Sequence, residues 1–222
     1  MKKIFGIIGG HGAVATSHFQ QLLLQEYLAQ GSYKDTDFPH TIITNVPLGE
    51  INEAGKIKNR ESIRQLIDFA SQILAPANYT LVLCNTFHIE QEYMEQILPG
   101  TFLSLPLLTH ARIQQNSYKK VLLVGTELTL ENNLHPSTTY TTVQYVSEPL
   151  IEAGMKGQTD HPDLTTIVEL AKNENVDAIA LVCTDLSVFQ PKLETLTSLP
   201  ILDSLLIAAQ TIKEKDSTNE SL

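Results

Sequence analysis

Twice in this chain an apolar, β-rich run stops on a cysteine and turns polar at once. The first is Leu81-Val82-Leu83-Cys84-Asn85-Thr86-Phe87-His88, and the second is Ile179-Ala180-Leu181-Val182-Cys183-Thr184-Asp185. An unbroken apolar run of this length is what a strand needs when both faces of a parallel sheet are covered. The polar residues then mark its carboxyl end, where open α/β sheets bind ligands. The amino end of a helix ordinarily follows, and its exposed N–H groups favour a thiolate. Free cysteine is also a common core residue. These are the chain's two cysteines, however, and both stand at the same point of the same pattern. That repetition directs the reading towards function.

Strand and helix signals alternate around these two points. Lys3 to Ile8 reads as a strand, Ala15 to Ala29 as a helix, and His40 to Val46 as a second strand closed by Pro47 and Gly49. Arg60 to Leu74 is amphipathic, with Ile63, Leu66, Ile67, Ala70, Ile73 and Leu74 on the 3.6-residue period. The Cys84 strand follows, then a helix over Ile89 to Leu98 and a strand over Leu103 to Leu108. The second half repeats the order. It has strands at Lys120 to Val124 and Val143 to Val146, a helix marked by Leu164, Ile167, Val168 and Ala171, and the Cys183 strand. Ser198-Leu199-Pro200-Ile201-Leu202 then echoes Ser104-Leu105-Pro106-Leu107-Leu108. A final helix is expected over Ser204 to Lys213, packed back on the first half.

This layout predicts an α/β protein of two pseudo-symmetric lobes, each a mainly parallel sheet flanked by helices, with the site in the cleft between them. Residues 1–108 with 205–215 form one lobe, 109–204 the other, and 216–222 a frayed tail. A chain of 222 residues, 42% hydrophobic and 18% charged, is ordinary for a soluble globular protein. Its formal net charge of -10 repels nucleic acid and anionic membranes. No apolar run approaches the length of a membrane span. Two cysteines, rather than an array, suit a reducing compartment, so a cytoplasmic location is expected.

Several motifs carry possible chemistry. Gly10-His11-Gly12-Ala13-Val14-Ala15 has the spacing of a dinucleotide turn. The acid that such a turn requires should end the second strand, but Asp35 and Asp37 precede that strand and Asn45-Val46-Pro47 closes it. No Lys-Ser/Thr follows the glycines, which excludes a P-loop. What remains is a loop in which Gly10 and His11 let backbone approach a small ligand. His88 lies one helical turn after Cys84, either as a neighbour that tunes the thiol or as a plain surface histidine. A structural zinc site would need four ligands, and no C-x-x-C accompanies it. Thr126 and Thr129, just beyond a strand end, serve as helix caps or ligand donors. The same alternatives hold for Asn85, Thr86, Thr184 and Asp185 beside the cysteines.

Taken together, Cys84-Asn85-Thr86, Cys183-Thr184, the Gly-Gly-x-Gly turn and Gly125-Thr126-x-x-Thr129 resemble the aspartate/glutamate racemase superfamily, its aspartate racemase branch most closely. The resemblance spans nearly the whole chain. It implies inversion of an amino acid's α-carbon without pyridoxal phosphate or another cofactor, with Cys84 and Cys183 as the two bases. Asn85, Thr86 and Thr184 would hold the α-carboxylate and ammonium groups, and Lys156 would match a lysine that pairs with an acidic side chain. The substrate would be aspartate or glutamate, and the assembly a homodimer. The residues also leave open a related maleate isomerase or arylmalonate decarboxylase, or a non-catalytic protein that binds an amino acid or dicarboxylate. In the racemase case, one cysteine starts as thiolate and the other as thiol, and both are expected to have a lowered pKa.

Overall fold

The computed structural model describes residues 2–47 and 60–218. Gly49 and the end of the expected tail, residues 219–222, lie outside the described residues. Among the described residues eight strands form two four-stranded sheets, and every pairing is parallel. The first sheet holds β1 (Ile4–Gly9), β2 (His40–Asn45), β3 (Tyr79–Val82) and β4 (Thr101–Leu103) in the order β2-β1-β3-β4. The second holds β5 (Lys120–Val124), β6 (Thr141–Tyr145), β7 (Ala178–Leu181) and β8 (Ile201–Asp203) in the order β6-β5-β7-β8. The two orders are the same topology repeated. The α/β, two-lobe expectation holds.

The register places the cysteines. Ile8 pairs with Val82 at the end of β1 and β3, and Val124 pairs with Leu181 at the end of β5 and β7. Cys84 and Cys183 each stand two residues beyond their paired residue, so the repeat delivers each to the carboxyl end of its own sheet. All four residues of β3 and all four of β7 are buried, as central parallel strands require. The outer strands β2 and β6 carry the polar residues, His40-Thr41 and Thr141-Thr142, on exposed positions.

Nine helices cover the sheets among the described residues: α1 (Ala13–Leu28), α2 (Arg60–Ile73), α3 (Gln91–Ile97), α4 (Leu105–Gln115), α5 (Glu127–Glu131), α6 (Glu148–Met155), α7 (Asp163–Asn173), α8 (Gln190–Leu196) and α9 (Ser204–Ser217). The apolar stripe of α2 buries Ile63, Leu66, Ile67 and Ala70 against Ile8 and Val82. Helix α9 gives Leu205, Ala208, Ala209 and Ile212 to the core around Phe5, Ile7 and Phe19, and Ile207 to the core around Val121 and Leu123. Helix α4 likewise spans both, with Leu105 in the first and Ile113 in the second. Two helices therefore tie the sheets together through shared apolar surface.

Three sequence expectations need correction. The strand expected over Leu103 to Leu108 ends at Leu103. Ser104 caps α4 by accepting the Leu107 N–H, and Pro106 sits in the first turn, where its missing N–H costs nothing. The Ser-Leu-Pro echo is thus a helix start in one half and the approach to a strand in the other. The true equivalence aligns β4 and Ser104 with β8 and Ser204. Next, α3 begins only at Gln91, because Asn85–Glu90 is a 3-10 turn. Finally, Asp216 is not frayed: α9 runs to Ser217, and the Tyr27 hydroxyl donates to Asp216 Oδ2 at 2.8 Å.

Candidate active site

The first β-α turn is shaped by two glycines with φ of 98°, a region other residues rarely adopt. A Cβ on Gly10 would lie 2.6 Å from the Val46 backbone, and one on Gly12 would run into the Asp185 carboxyl. The Gly10 N–H is already used by Thr16 Oγ1 at 3.0 Å, so this glycine shapes the turn. Asp185 belongs to the other lobe and is gripped from two sides, because a Cβ on Gly154 of α6 would collide with its carbonyl. The turn thus brings the two lobes into contact beside both cysteines.

Each cysteine leaves its strand in extended conformation and opens a 3-10 turn, Asn85–Glu90 after Cys84 and Thr184–Phe189 after Cys183. Phe87 donates its N–H to the Cys84 carbonyl at 3.3 Å, and Leu186 does the same to Cys183 at 3.1 Å. Both thiols are free, with Cys84 partly exposed and Cys183 buried. They are close enough for a charge on Cys84 to act on Cys183, and the Asp185 carboxylate acts on both.

The expected lowering of the thiol pKa values is not found. Burial pushes Cys84 up to about 12 and Cys183 well above its ordinary value. The N–H groups of Phe87 and Thr86 pull Cys84 down, and those of Asp185 and Leu186 pull Cys183 down, but by less than desolvation raises them. The reason is structural. The α-helices whose amino ends were to stabilise a thiolate begin only at Gln91 and Gln190.

His88 is buried, so the surface reading does not hold. Its Nδ1 lies 3.0 Å from the Cys84 carbonyl and 3.2 Å from that of Asn85, while Nε2 accepts the Leu105 N–H at 3.2 Å. Carbonyls only accept, so the proton is on Nδ1 and the tautomer is set. Burial holds the ring neutral, with a pKa pulled down to about 4. Both nitrogens bond to backbone, so His88 ties the cysteine turn to the start of α4. Ser187 occupies the corresponding place after Cys183. Its hydroxyl donates to Asp203 Oδ2, and Asp203 caps α9 through the Leu205 N–H at 3.0 Å. Ser187, Asp203 and Ser204 are participants that the sequence reading missed. The spacing of four from each cysteine was the available signal.

The remaining candidates divide clearly. Asn85 donates from Nδ2 to Ser204 Oγ at 3.1 Å, while its Oδ1 is buried without a partner. Asp185 is half-buried as a residue, but its Oδ1 is shut off from solvent and also lacks a partner. Burial raises that carboxyl to about 7. Thr86, Thr126 and Thr129 meet as three buried hydroxyls across the lobes, and Thr184 Oγ1 donates back to the Leu83 carbonyl at 3.4 Å. His11 is buried with both ring nitrogens unpartnered, its ring tilted against Phe87 with centroids 4.2 Å apart, and its pKa is lowered by burial to about 4. Lys156 stands apart. It caps α6, is exposed, and pairs with Glu152 at 3.4 Å. Among the described residues, no three His, Cys, Asp or Glu side chains are grouped to hold a metal ion. None of the described helices is long and apolar enough to cross a membrane.

Two repeats of one parallel α/β topology, each with a free thiol two residues beyond its third strand, match the two-lobe racemase fold. The chain belongs to the Asp/Glu/Hydantoin racemase family, whose model matches residues 8–212. Solved structures share the fold. Aspartate racemase from Picrophilus torridus is 24% identical with a TM-score of 0.73, over 96% of this chain and 94% of that one. An aspartate racemase homologue from Pyrococcus horikoshii is 22% identical with a TM-score of 0.72, over 98% and 100%. A glutamate racemase from Bacillus anthracis is 11% identical with a TM-score of 0.71, over 96% and 81%. No curated protein matches the chain.

Proposed function

We propose that the protein is a cofactor-independent amino-acid racemase that uses Cys84 and Cys183 as its acid–base pair, with aspartate or glutamate as substrate. The observation that carries this reading is the set of groups beside the two free thiols. Asn85 Oδ1 and Asp185 Oδ1 are buried acceptors without donors. Such atoms are costly in a folded protein unless a ligand satisfies them. An α-ammonium group offers three donors and a positive charge. Placed between these acceptors, it satisfies both and favours ionisation of the raised thiols nearby. The hydroxyls of Thr86, Thr126, Thr129 and Thr184 and the loop of Gly10 and His11 are then the groups available to the substrate's carboxylates.

The chemistry follows from two thiols in different protonation states. One thiolate removes the α-proton from one face, leaving a planar carbanion whose charge spreads into the carboxylate. The other thiol returns a proton to the opposite face, so the product leaves an enzyme with the two states exchanged. The aspartate and glutamate racemases that share the fold support an acidic side chain. The deciding experiment incubates the protein with a panel of L- and D-amino acids in deuterated water, followed by chiral analysis and detection of exchange at Cα. Inversion of aspartate or glutamate from both enantiomers, with deuterium incorporated, is expected. Absence of exchange with every amino acid would sink the reading and favour a binding protein.

A further inference from the structure

The lobes meet at two junctions that are built alike and filled differently. In each lobe, the N-cap of the helix after the first strand meets the side chain two residues beyond the other lobe's cysteine. Thr126, the N-cap of α5, lies 3.2 Å from Thr86. Gly12, the N-cap of α1, leaves no room for a Cβ beside Asp185 Oδ1. At the first junction every hydroxyl hydrogen is spent. Thr126 Oγ1 donates to Thr129 Oγ1 at 2.8 Å, Thr129 to Thr86 at 3.2 Å, and Thr86 back to Thr126, which closes a ring of three. Thr184 likewise gives its hydrogen to the Leu83 carbonyl.

At the second junction the polar groups are unmet. Asp185 Oδ1 lacks a donor, and both ring nitrogens of His11, the residue before Gly12, lack a partner among the described residues. His11 is only 7% exposed, and its ring lies against Phe87, three residues after Cys84. It therefore stands between the two cysteine turns. Its ring touches the first, and the next residue of its own loop touches Asp185 of the second. Burial keeps the ring neutral, so one nitrogen carries a hydrogen and the other is a bare acceptor. A buried N–H without an acceptor is costly, and a ligand that supplies one relieves the cost. We propose that His11 binds a carboxylate of the substrate through this N–H. The inference rests on the racemase reading and narrows it. A carboxylate gains a hydrogen bond at His11 without breaking one, whereas each hydroxyl of the threonine ring must first give up a partner. An acidic amino acid has two carboxylates, and the same chemistry serves either.

The test uses the whole protein, isotopically labelled at its histidine ring nitrogens, titrated with racemic aspartate, glutamate and alanine, mixtures in which no net turnover occurs. The NMR signal of the His11 N–H, identified by its loss in His11→Phe, should shift as aspartate saturates the protein. His11→Phe keeps a ring against Phe87 and removes both nitrogens. It should weaken aspartate binding, measured by calorimetry, about tenfold, the effect of one hydrogen bond to a charged group. Its urea midpoint without ligand should match or exceed the wild-type value, because two unmet buried nitrogens are gone. His11→Gln, which restores an N–H donor, should bind aspartate more tightly than His11→Phe. An equal loss for alanine assigns the α-carboxylate to His11, and a loss confined to aspartate and glutamate assigns the side-chain carboxylate. A His11 signal that stays still at saturating aspartate overturns the proposal. So does weaker binding in His11→Phe that comes with a lowered urea midpoint, the mark of a structural histidine. If aspartate binds and His11 does not respond, this inference alone fails. If no amino acid binds, the racemase reading fails and takes the inference with it.

Discussion

The turn after Cys84 and the turn after Cys183 share a frame and differ in what fills it. Each follows a buried central strand, opens a 3-10 turn, and is tied four residues on to the start of the helix beyond the lobe's last strand. Two residues after the cysteine, the first turn offers the Thr86 hydroxyl and the second the Asp185 carboxyl. Four residues after, the first uses a neutral imidazole between backbone groups, and the second a serine bonded to a buried carboxylate. The frame belongs to the fold, which must deliver two sulfurs to one place. The differing side chains give the two turns different polar groups. Placement is therefore symmetric, while the polar groups around the two sulfurs are not.

The largest effect that can break this comparison comes from the sulfurs themselves. Cys84→Ala and Cys183→Ala should each lower racemisation by at least about a thousandfold in both directions, since inversion needs a group on each face. Circular dichroism and urea midpoints should show both variants folded. Each retains one base, so each should still exchange the α-proton of one enantiomer, and the two variants should favour opposite enantiomers. A single variant that racemises at near the wild-type rate would remove the two-base mechanism.

Asp185 sharpens the contrast through pH. Its folded pKa of about 7 is raised above the ordinary carboxyl value, so the folded state holds its proton more tightly than the unfolded state does. The stability it contributes is complete below about pH 4 and is lost as pH rises to about 7, after which the difference is constant. Asp203, raised to about 6 by burial, adds a slope of the same sign. Asp185→Asn should therefore stabilise the protein by about 4 kcal/mol near pH 8, with no gain near pH 4. Urea unfolding at the two pH values checks it. The same variant should lose turnover if the carboxylate receives the substrate's ammonium group. A gain of equal size at both pH values would mean that Asp185 is not the titrating group.

The anchors four residues after the cysteines should differ in stability cost. His88→Ala leaves the buried Leu105 N–H without an acceptor, frees two carbonyls and removes the ring packed on Phe102, which together cost about 3 kcal/mol. Ser187→Ala removes one donor from a carboxylate that keeps its Leu205 N–H, a cost of about 2 kcal/mol. Chemical denaturation of both variants measures the difference. If Ser187→Ala proved the more damaging, the carboxylate, and not the imidazole, would be the stronger anchor.

The parts of this arrangement that sequence made legible are those with a local cause. Central strands buried on both faces read as unbroken apolar runs, so β3, β7 and their terminal cysteines were visible, and the α2 stripe follows its period. Helix α4 was hidden because Leu105, Leu107 and Leu108 mimic a strand, and its start depends on Ser104 and Pro106. Leu107 is in fact 51% exposed, which no strand reading anticipates. Helix α6 carries Pro149 in its first turn and Gly154 near its end, which disguise it. The link from Ser187 to Asp203 and the meeting of Thr86 with Thr126 and Thr129 join residues far apart in the chain. Such contacts leave no periodic trace. Desolvation of the thiols is likewise a property of the packed lobes, and it reversed the direction expected from helix ends.

The smallest predicted effect concerns Lys156, which tests whether the asymmetry of the site extends to the substrate's side chain. In the structure Lys156 is exposed and engaged with Glu152 one turn earlier on α6. An exposed pair of this kind contributes little, so Lys156→Met should change stability by less than about 0.5 kcal/mol. The end of α6 nevertheless adjoins the site, because Gly154 packs on Asp185 and a Cβ on Gly157 would lie 3.8 Å from Val14. A lysine there could leave Glu152 for a side-chain carboxylate, which a protein of net charge -10 must meet with a local cation or N–H donors. On that proposal Lys156→Met should raise KM for aspartate or glutamate about five- to tenfold and leave a neutral amino acid unchanged, as expected for one charge-assisted contact. An equal loss for acidic and neutral substrates would place Lys156 in the support of α6. No loss for either would assign recognition of the side chain to other groups of the site.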